Sequence, residues 1–101
     1  MLLFKQCFVE DILSGRKTQT RRLHKRPRRV GVIHNCQINF DTKPFCRILI
    51  TRVFSQMLCD ISEADIKREG FNSRQEFFAV FEKLGGNSNQ VVTVYEFRVC
   101  T

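Results

Sequence analysis

The chain lacks tryptophan, has a single tyrosine and contains no long hydrophobic run. Its longest uninterrupted apolar stretch, residues 77–81, is far shorter than the roughly 20 residues that a membrane-spanning helix needs. We therefore expect no membrane span and no membrane partner. The N-terminal Met-Leu-Leu-Phe-Lys-Gln becomes polar too soon for a signal peptide, so our expectation is a cytoplasmic protein. Ten phenylalanines supply the aromatic surface, and we expect their rings to fill much of the core.

Closely spaced cysteine pairs are also absent. The chain has five cysteines, at Cys7, Cys36, Cys46, Cys59 and Cys100. An odd number without a close pair excludes a disulfide framework, and the Cys-x-x-Cys spacing of zinc sites is missing. We interpret these residues as buried or half-buried free thiols. His24 and His34 have no carboxylate near them in the sequence, so we predict neither a metal site nor a cofactor.

Acidic residues are missing from one long segment, between Asp11 and Asp41. Of the 17 basic residues, eight fall within 14 positions of that segment: Arg16, Lys17, Arg21, Arg22, Lys25, Arg26, Arg28 and Arg29. A concentrated positive field attracts polyanions, so we predict that these eight residues bind nucleic acid. A purely solvated charge run is the alternative. Against it, the segment is flanked by apolar periodic elements and carries Thr and Gln at its centre.

Apolar periodicity predicts one domain, residues 1–101, with strands and helices in uneven order. Strands are predicted at residues 2–7, 32–40, 45–54 and 91–100, and residues 19–23 could add another. Helices are predicted at residues 8–14, from the capping residue Ser62 to near Gly70, and from the capping residue Ser73 to Gly85. The last helix has an apolar face of Phe77, Val80, Phe81 and Leu84. Parallel α/β folds alternate more evenly, so we predict an α+β fold: a small mixed or antiparallel β-barrel with flanking short helices.

The segment from Phe8 to Arg22 resembles the signature of ASCH domains, in which a short helix precedes Ser-Gly-x-Lys-Thr-x-Thr-x-Arg. Two further segments resemble the second helical region and the last strand of that family: residues 69–77 and residues 94–97. Residues 26–31 are also similar to family members. The resemblance spans nearly the whole chain and implies a PUA-like β-barrel with a cleft between barrel and helices.

The same resemblance implies the activity and the site residues. The family is associated with RNA binding, and one bacterial branch of similar length hydrolyses acetylcytidine nucleosides to cytidine and acetate. The catalytic Lys, Thr and Glu of that branch match Lys17, Thr20 and Glu69, with Glu63 or Glu76 as alternatives for the glutamate. Lys17 and Thr20 would point to opposite faces of an unbroken strand. They can meet only if Lys17 lies in a turn after Gly15.

Three functions are consistent with these residues. The first is a module that binds RNA or a modified nucleoside through Gly15–Arg22. The second is an amidohydrolase, or a ribonuclease, that uses Lys17, Thr20 and Glu69. The third is a domain that docks an acidic protein. The number of cations exceeds what a nucleoside hydrolase needs, which favours the first.

Overall fold

Five strands form one curled mixed sheet that makes half of a barrel, and three short helices accompany it in the part of the chain that the computed structural model describes, residues 1–23 and 27–100. The strands are β1 (Leu2–Leu3), β2 (Gln19–Arg22), β3 (Ile33–Gln37), β4 (Cys46–Met57) and β5 (Val91–Val99). The helices are α1 (Val9–Ser14), α2 (Glu63–Arg68) and α3 (Arg74–Lys83). This arrangement confirms the predicted α+β class.

The order of strands across the sheet is β1-β3-β4-β5-β2. The pair β1–β3 is parallel, and the other three pairs are antiparallel. The long β4–β5 pair contains a bulge between Ile50 and Arg52, so β4 carries one extra residue there. A bulge bends its strand and increases the local twist, which suits a sheet that curls around an interior.

Strand β5 is buried on both faces and separates two apolar clusters. Val92 and Val94 pack with the helices, in a cluster that includes Phe71, Phe77 and Phe81. Phe97 packs on the opposite face, in a cluster that includes Leu2, Phe4, Ile12 and Ile48. Phe8, at the start of α1, contacts both clusters. A gap between the clusters beside β2 would therefore be walled by phenylalanine rings.

The predicted helix caps are confirmed. The Ser62 hydroxyl accepts a hydrogen bond from the Asp65 N–H, and the Ser73 hydroxyl accepts one from the Glu76 N–H, each at 3.1 Å. Gly15 ends α1 in the left-handed region, at φ 84°. The additional strand at residues 19–23 is confirmed as β2.

Four predictions are wrong in detail. The strand predicted for residues 2–7 ends at Leu3, because Gln6–Phe8 form a 3₁₀ turn that leads into α1. Leu84 is 61% exposed because α3 ends before it and Gly85 turns the chain away. Cys7 and Cys59 are exposed rather than buried. Each lies in a 3₁₀ turn on the surface.

Among the described residues, no helix combines the length and the apolar character that crossing a bilayer requires.

We predict that Ser73→Ala lowers the free energy of unfolding by about 1 kcal/mol, because it removes the side chain that caps α3. Ser55→Ala, at an exposed position near the end of β4, is the control and should change it by less than about 0.5 kcal/mol. Urea denaturation followed by circular dichroism measures both. Equal effects of the two substitutions would contradict the capping role.

Candidate functional site

Backbone hydrogen bonds hold the turn between α1 and β2 against the end of α2. The Lys17 N–H donates to the Asp11 carbonyl at 2.9 Å, and the Thr18 N–H donates to the Arg68 carbonyl at 2.8 Å. Gly15 provides the left-handed residue that lets the chain reverse here. Lys17 therefore lies in the turn after Gly15, the position from which it can line the same cavity as Thr20.

The Lys17 ammonium is buried and surrounded by acceptors. Its Nζ donates to the Gln19 carbonyl at 2.8 Å, to the Glu69 carbonyl at 2.6 Å and to Glu69 Oε1 at 3.1 Å. It also lies 4.7 Å from the centre of the Phe8 ring. Three acceptors match the three hydrogens of an ammonium, so the charged form of Lys17 is fully satisfied.

The Glu69 carboxylate is shared between two buried cations. Oε1 contacts Lys17, and Oε2 accepts from Arg21 Nη1 at 3.0 Å. The Arg21 side chain is 0% exposed and donates also to Gln56 Oε1, from Nε at 3.2 Å and from Nη2 at 2.9 Å. Asp65 Oδ2 lies 3.4 Å from Arg21 Nη2. Arg21 therefore anchors α2 to β2 and β4.

Alternation along β2 divides its side chains between two faces. Gln19 and Arg21 point towards α2, where Gln19 Nε2 donates to Asp65 Oδ1 at 3.2 Å and to Glu96 Oε2 at 2.6 Å. Thr20 lies opposite Tyr95 in the β2–β5 pair and points to the other face. One strand thus supplies both a structural network and a second set of polar groups.

Thr20 and Arg22 form that second set. Arg22 Nε donates to Thr20 Oγ1 at 3.1 Å, and Arg22 Nη2 donates to the Leu3 carbonyl at 2.8 Å. The guanidinium lies 4.7 Å from the centre of the Phe4 ring. Because Thr20 Oγ1 accepts from Arg22, its own hydrogen remains available to another acceptor.

A cavity of ≈ 250 Å³ lies where these groups meet. Its polar lining comes from Lys17, Thr20, Arg21, Arg22 and Glu69, with Lys5 beside them. Its apolar lining comes from both core clusters and includes Phe4, Phe8, Phe71, Phe77 and Phe81. The three candidate catalytic residues therefore line one concavity. Its size is near the lower end of small-molecule pockets, about 300–1,000 Å³, which suits a guest no larger than a nucleoside.

Burial shifts the pKa of two of the cations that line the cavity, Lys17 and Arg22. Desolvation lowers the pKa of Lys17 below its usual 10.5; the Glu69 carboxylate opposes this effect, and Arg22 and Arg21 reinforce it. Burial likewise lowers the pKa of Arg22 from its ordinary range, again opposed by Glu69. The cavity thus places buried positive charge beside a hydroxyl, a combination that favours a guest with acceptor atoms.

Other candidate residues lie away from this cavity. Arg16 is exposed and pairs with Asp11 at 2.6 Å. Arg28 donates from Nη2 to the Met1 carbonyl at 2.6 Å, and Arg29 is exposed. Lys25 and Arg26, like His24, lie outside the described residues. Of the three candidate glutamates, Glu69 contacts Lys17, whereas Glu63 pairs with Arg74 on the surface and Glu76 is exposed.

Comparison with protein-family profiles and with curated sequences finds no match. Solved structures do match over nearly the whole chain. An ASCH domain from Lactobacillus crispatus superposes with a TM-score of 0.66 at 24% identity, covering 92% of this chain and 70% of that one. An ASCH protein from Zymomonas mobilis gives a TM-score of 0.71 at 18% identity, with 96% of this chain and 64% of that one covered. The chain has the ASCH-domain fold.

A third structure, a DUF984 protein from Enterococcus faecalis, has a TM-score of 0.75 at 20% identity and covers 98% of this chain and 81% of that one. The predicted α+β architecture is confirmed. At these identities the likeness establishes the fold alone. The function of the cavity is therefore inferred from its own residues.

Sequence reasoning missed the partners that fix Arg21, namely Gln56, Asp65 and Gln19, whose Oε1 accepts from Arg21 Nη1 at 2.9 Å. One signal was present. Asp65 and Glu69 are four residues apart and lie on one face of α2, where like charges repel unless a cation lies between them. The wall formed by Val80 and Phe81 was predicted as core only, and the structure places it against the cavity as well.

We predict that Glu69→Gln lowers the free energy of unfolding by about 3–5 kcal/mol, because it leaves the buried charges of Lys17 and Arg21 without their shared carboxylate. Glu63→Gln removes an exposed partner of Arg74 and should cost no more than about 1 kcal/mol. Chemical denaturation of both variants checks the difference. Comparable losses would show that the Glu69 pairs stabilise no more than surface pairs do.

Proposed function

We propose that the cavity binds one nucleoside of an RNA strand and that exposed basic residues around it bind the RNA phosphates. The observation that carries this proposal is the convergence of Thr20, Arg22 and Lys17 with phenylalanine rings around one cavity. Proteins that read single-stranded RNA stack bases on aromatic side chains and hydrogen-bond their edges. The cavity offers both kinds of contact.

The polar groups of the cavity differ in what they have left to offer a guest. Lys17 uses three donors on protein acceptors. Arg22 has five N–H donors and uses one each for Thr20 and Leu3. We propose that Arg22 and the Thr20 hydroxyl contact the base directly, while Lys17 and Glu69 hold the cavity in shape and set its charge.

Phosphate contacts need accessible cations. Lys5 is exposed and lies at the cavity. Arg16 and Arg29 are exposed as well and are the first and last cations of the basic segment, residues 16–29. Lys17 and Arg21 are too deeply buried to meet a backbone phosphate on the surface. The basic segment would therefore have two roles. Its buried cations would shape and charge the cavity, and its exposed cations would bind phosphates of the RNA.

We predict that the affinity for a short single-stranded RNA falls steeply between about 50 and 200 mM salt, with a log–log slope near −0.7 for each phosphate contacted. Replacing Arg16 and Arg29 together with Ala should weaken binding and make this slope shallower, because both side chains are exposed. Arg47→Ala, an exposed change on β4 that lines none of the described cavities, is the control. Fluorescence anisotropy measures all three proteins, and an unchanged slope in the double variant would refute this assignment.

A second function, hydrolysis of an N-acetylated cytidine, is supported by a separate observation. Lys17, Thr20 and Glu69 line one cavity, and Arg22 donates to Thr20 Oγ1. That donation would stabilise the negative charge that develops on the oxygen of an attacking hydroxyl. The lowered pKa of Lys17 moves its amine closer to the range in which it acts as a base.

The reaction would run in two stages. Thr20 Oγ1 attacks the amide carbonyl carbon while the neutral Lys17 amine takes the hydroxyl proton, and the C–N bond then breaks as the leaving nitrogen receives that proton. Water next attacks the acetyl ester on Thr20, which releases acetate and restores the hydroxyl. The neutral amine needs Lys17 to give up one of its three hydrogen bonds. For this reason hydrolysis ranks second.

If hydrolysis occurs, Thr20→Val and Lys17→Ala should each abolish cytidine release from acetylcytidine, whereas Thr20→Ser should retain part of it. Because the pKa of Lys17 is lowered from 10.5, the rate should rise with pH and level off below that value. Chromatography of the products measures the release, and thermal unfolding shows that each variant is folded. If the wild type binds RNA but releases no cytidine, hydrolysis is refuted and RNA binding remains as the proposed function.

A further inference from the structure

A second concavity lies on the surface behind Lys17. This basic groove has a volume of ≈ 470 Å³, and its charged and polar lining consists of Asp11, Arg16, Lys67, Arg68 and Asn72. Arg16 belongs to the basic segment, whereas Lys67 and Arg68 are the last residues of α2. Two distant parts of the sequence therefore contribute cations to one groove.

The basic groove and the cavity are neighbours on the two sides of a third depression. This middle depression, of ≈ 320 Å³, shares Lys5, Phe8 and Val80 with the cavity and shares Asp11 and Asn72 with the basic groove. Phe71 lines all three concavities. We refer to these three adjoining concavities as the track, with the cavity at one end and the basic groove at the other.

Gly70 lines both the middle depression and the basic groove. It adopts φ 94°, and a Cβ placed there would lie 3.5 Å from the Phe8 ring, 3.6 Å from Asp11 Oδ2 and 3.6 Å from Lys17 Cβ. The chain that follows α2 is therefore packed against the start of α1 and the base of the Lys17 side chain.

Charge is unevenly distributed along the track. The basic groove has three cations and one carboxylate, and two of those cations form ion pairs, Arg16 with Asp11 and Arg68 with Asp65. The arginine side chains of these pairs are 67% and 53% exposed, so a phosphate can approach both guanidinium groups from the solvent side. The middle depression contains Lys5 against Asp11 and Glu76, so it lacks the excess positive charge that a phosphate requires.

We propose that the basic groove binds a phosphate of the RNA strand whose nucleoside occupies the cavity, with a neighbouring sugar or base crossing the middle depression. This inference depends on the proposed nucleoside binding and deepens it. The substrate class becomes single-stranded RNA of at least a few nucleotides rather than a free nucleoside. Lys67 and Arg68 become phosphate contacts that lie outside the basic segment.

The test compares a free nucleoside with a strand. Binding of cytidine and of a labelled single-stranded RNA of about eight nucleotides, within the usual footprint of single-strand-binding domains, is measured for the wild type, Lys67→Glu and Arg68→Ala. Both side chains are exposed, and thermal unfolding checks that the variants are folded. Arg47→Glu is the matched control for Lys67→Glu.

We expect Lys67→Glu to weaken binding of the strand about tenfold at low salt and Arg68→Ala to weaken it less, with a shallower salt slope for both. Cytidine binding should not change. If both variants bind the RNA strand as tightly as the wild type does, phosphate binding by the basic groove is refuted, while nucleoside binding by the cavity is not. An equal loss in Arg47→Glu would also overturn it, since general charge would then explain the effect. If the wild type binds neither the strand nor cytidine, the proposed function fails together with this inference.

Discussion

A single carboxylate, that of Glu69, lies between the Lys17 ammonium and the Arg21 guanidinium, with all three side chains buried. It joins the turn after α1, strand β2 and the end of α2. Removing two cations from water is costly unless a charged partner and further hydrogen bonds compensate. Gln56 and backbone carbonyls supply those further bonds. The position of α2 relative to the sheet is therefore fixed by charge as much as by apolar packing.

The cavity is a consequence of this constraint. Lys17 and Arg21 hold α2 close to β2, while the two phenylalanine-rich clusters on either side of β5 meet incompletely beside β2. Polar side chains of β2 and phenylalanine rings of both clusters thereby line one cavity. These side chains lie around the cavity without a loop having to close over it. A pre-formed space of this kind loses little conformational freedom when a guest enters.

The proposed nucleoside binding and the proposed hydrolysis would use the same groups of the cavity and would differ in the protonation state of Lys17. Three acceptors around Nζ favour the ammonium, whereas burial and the neighbouring arginines favour the neutral amine. A guest that displaced one acceptor from Nζ would shift that balance towards the amine. The basic groove, which adjoins the cavity through the middle depression, contributes three further cations. These cations favour a polyanionic guest over a neutral one.

The sequence by itself determined the local elements and the chemical character of the site. The Ser62 and Ser73 caps, the turn at Gly15 and the strand Gln19–Arg22 follow from short-range rules, because caps, turns and alternation depend on neighbours in the chain. The choice of Lys17 and Thr20 as candidate site residues rests instead on the resemblance of their segment to the ASCH signature. Tertiary structure alone decided that Arg21 is buried, that Glu69 rather than Glu63 or Glu76 meets Lys17, and that Lys67 lies beside Arg16. These contacts join residues some 35 to 52 positions apart, and only the packing of α2 on the sheet brings them within reach.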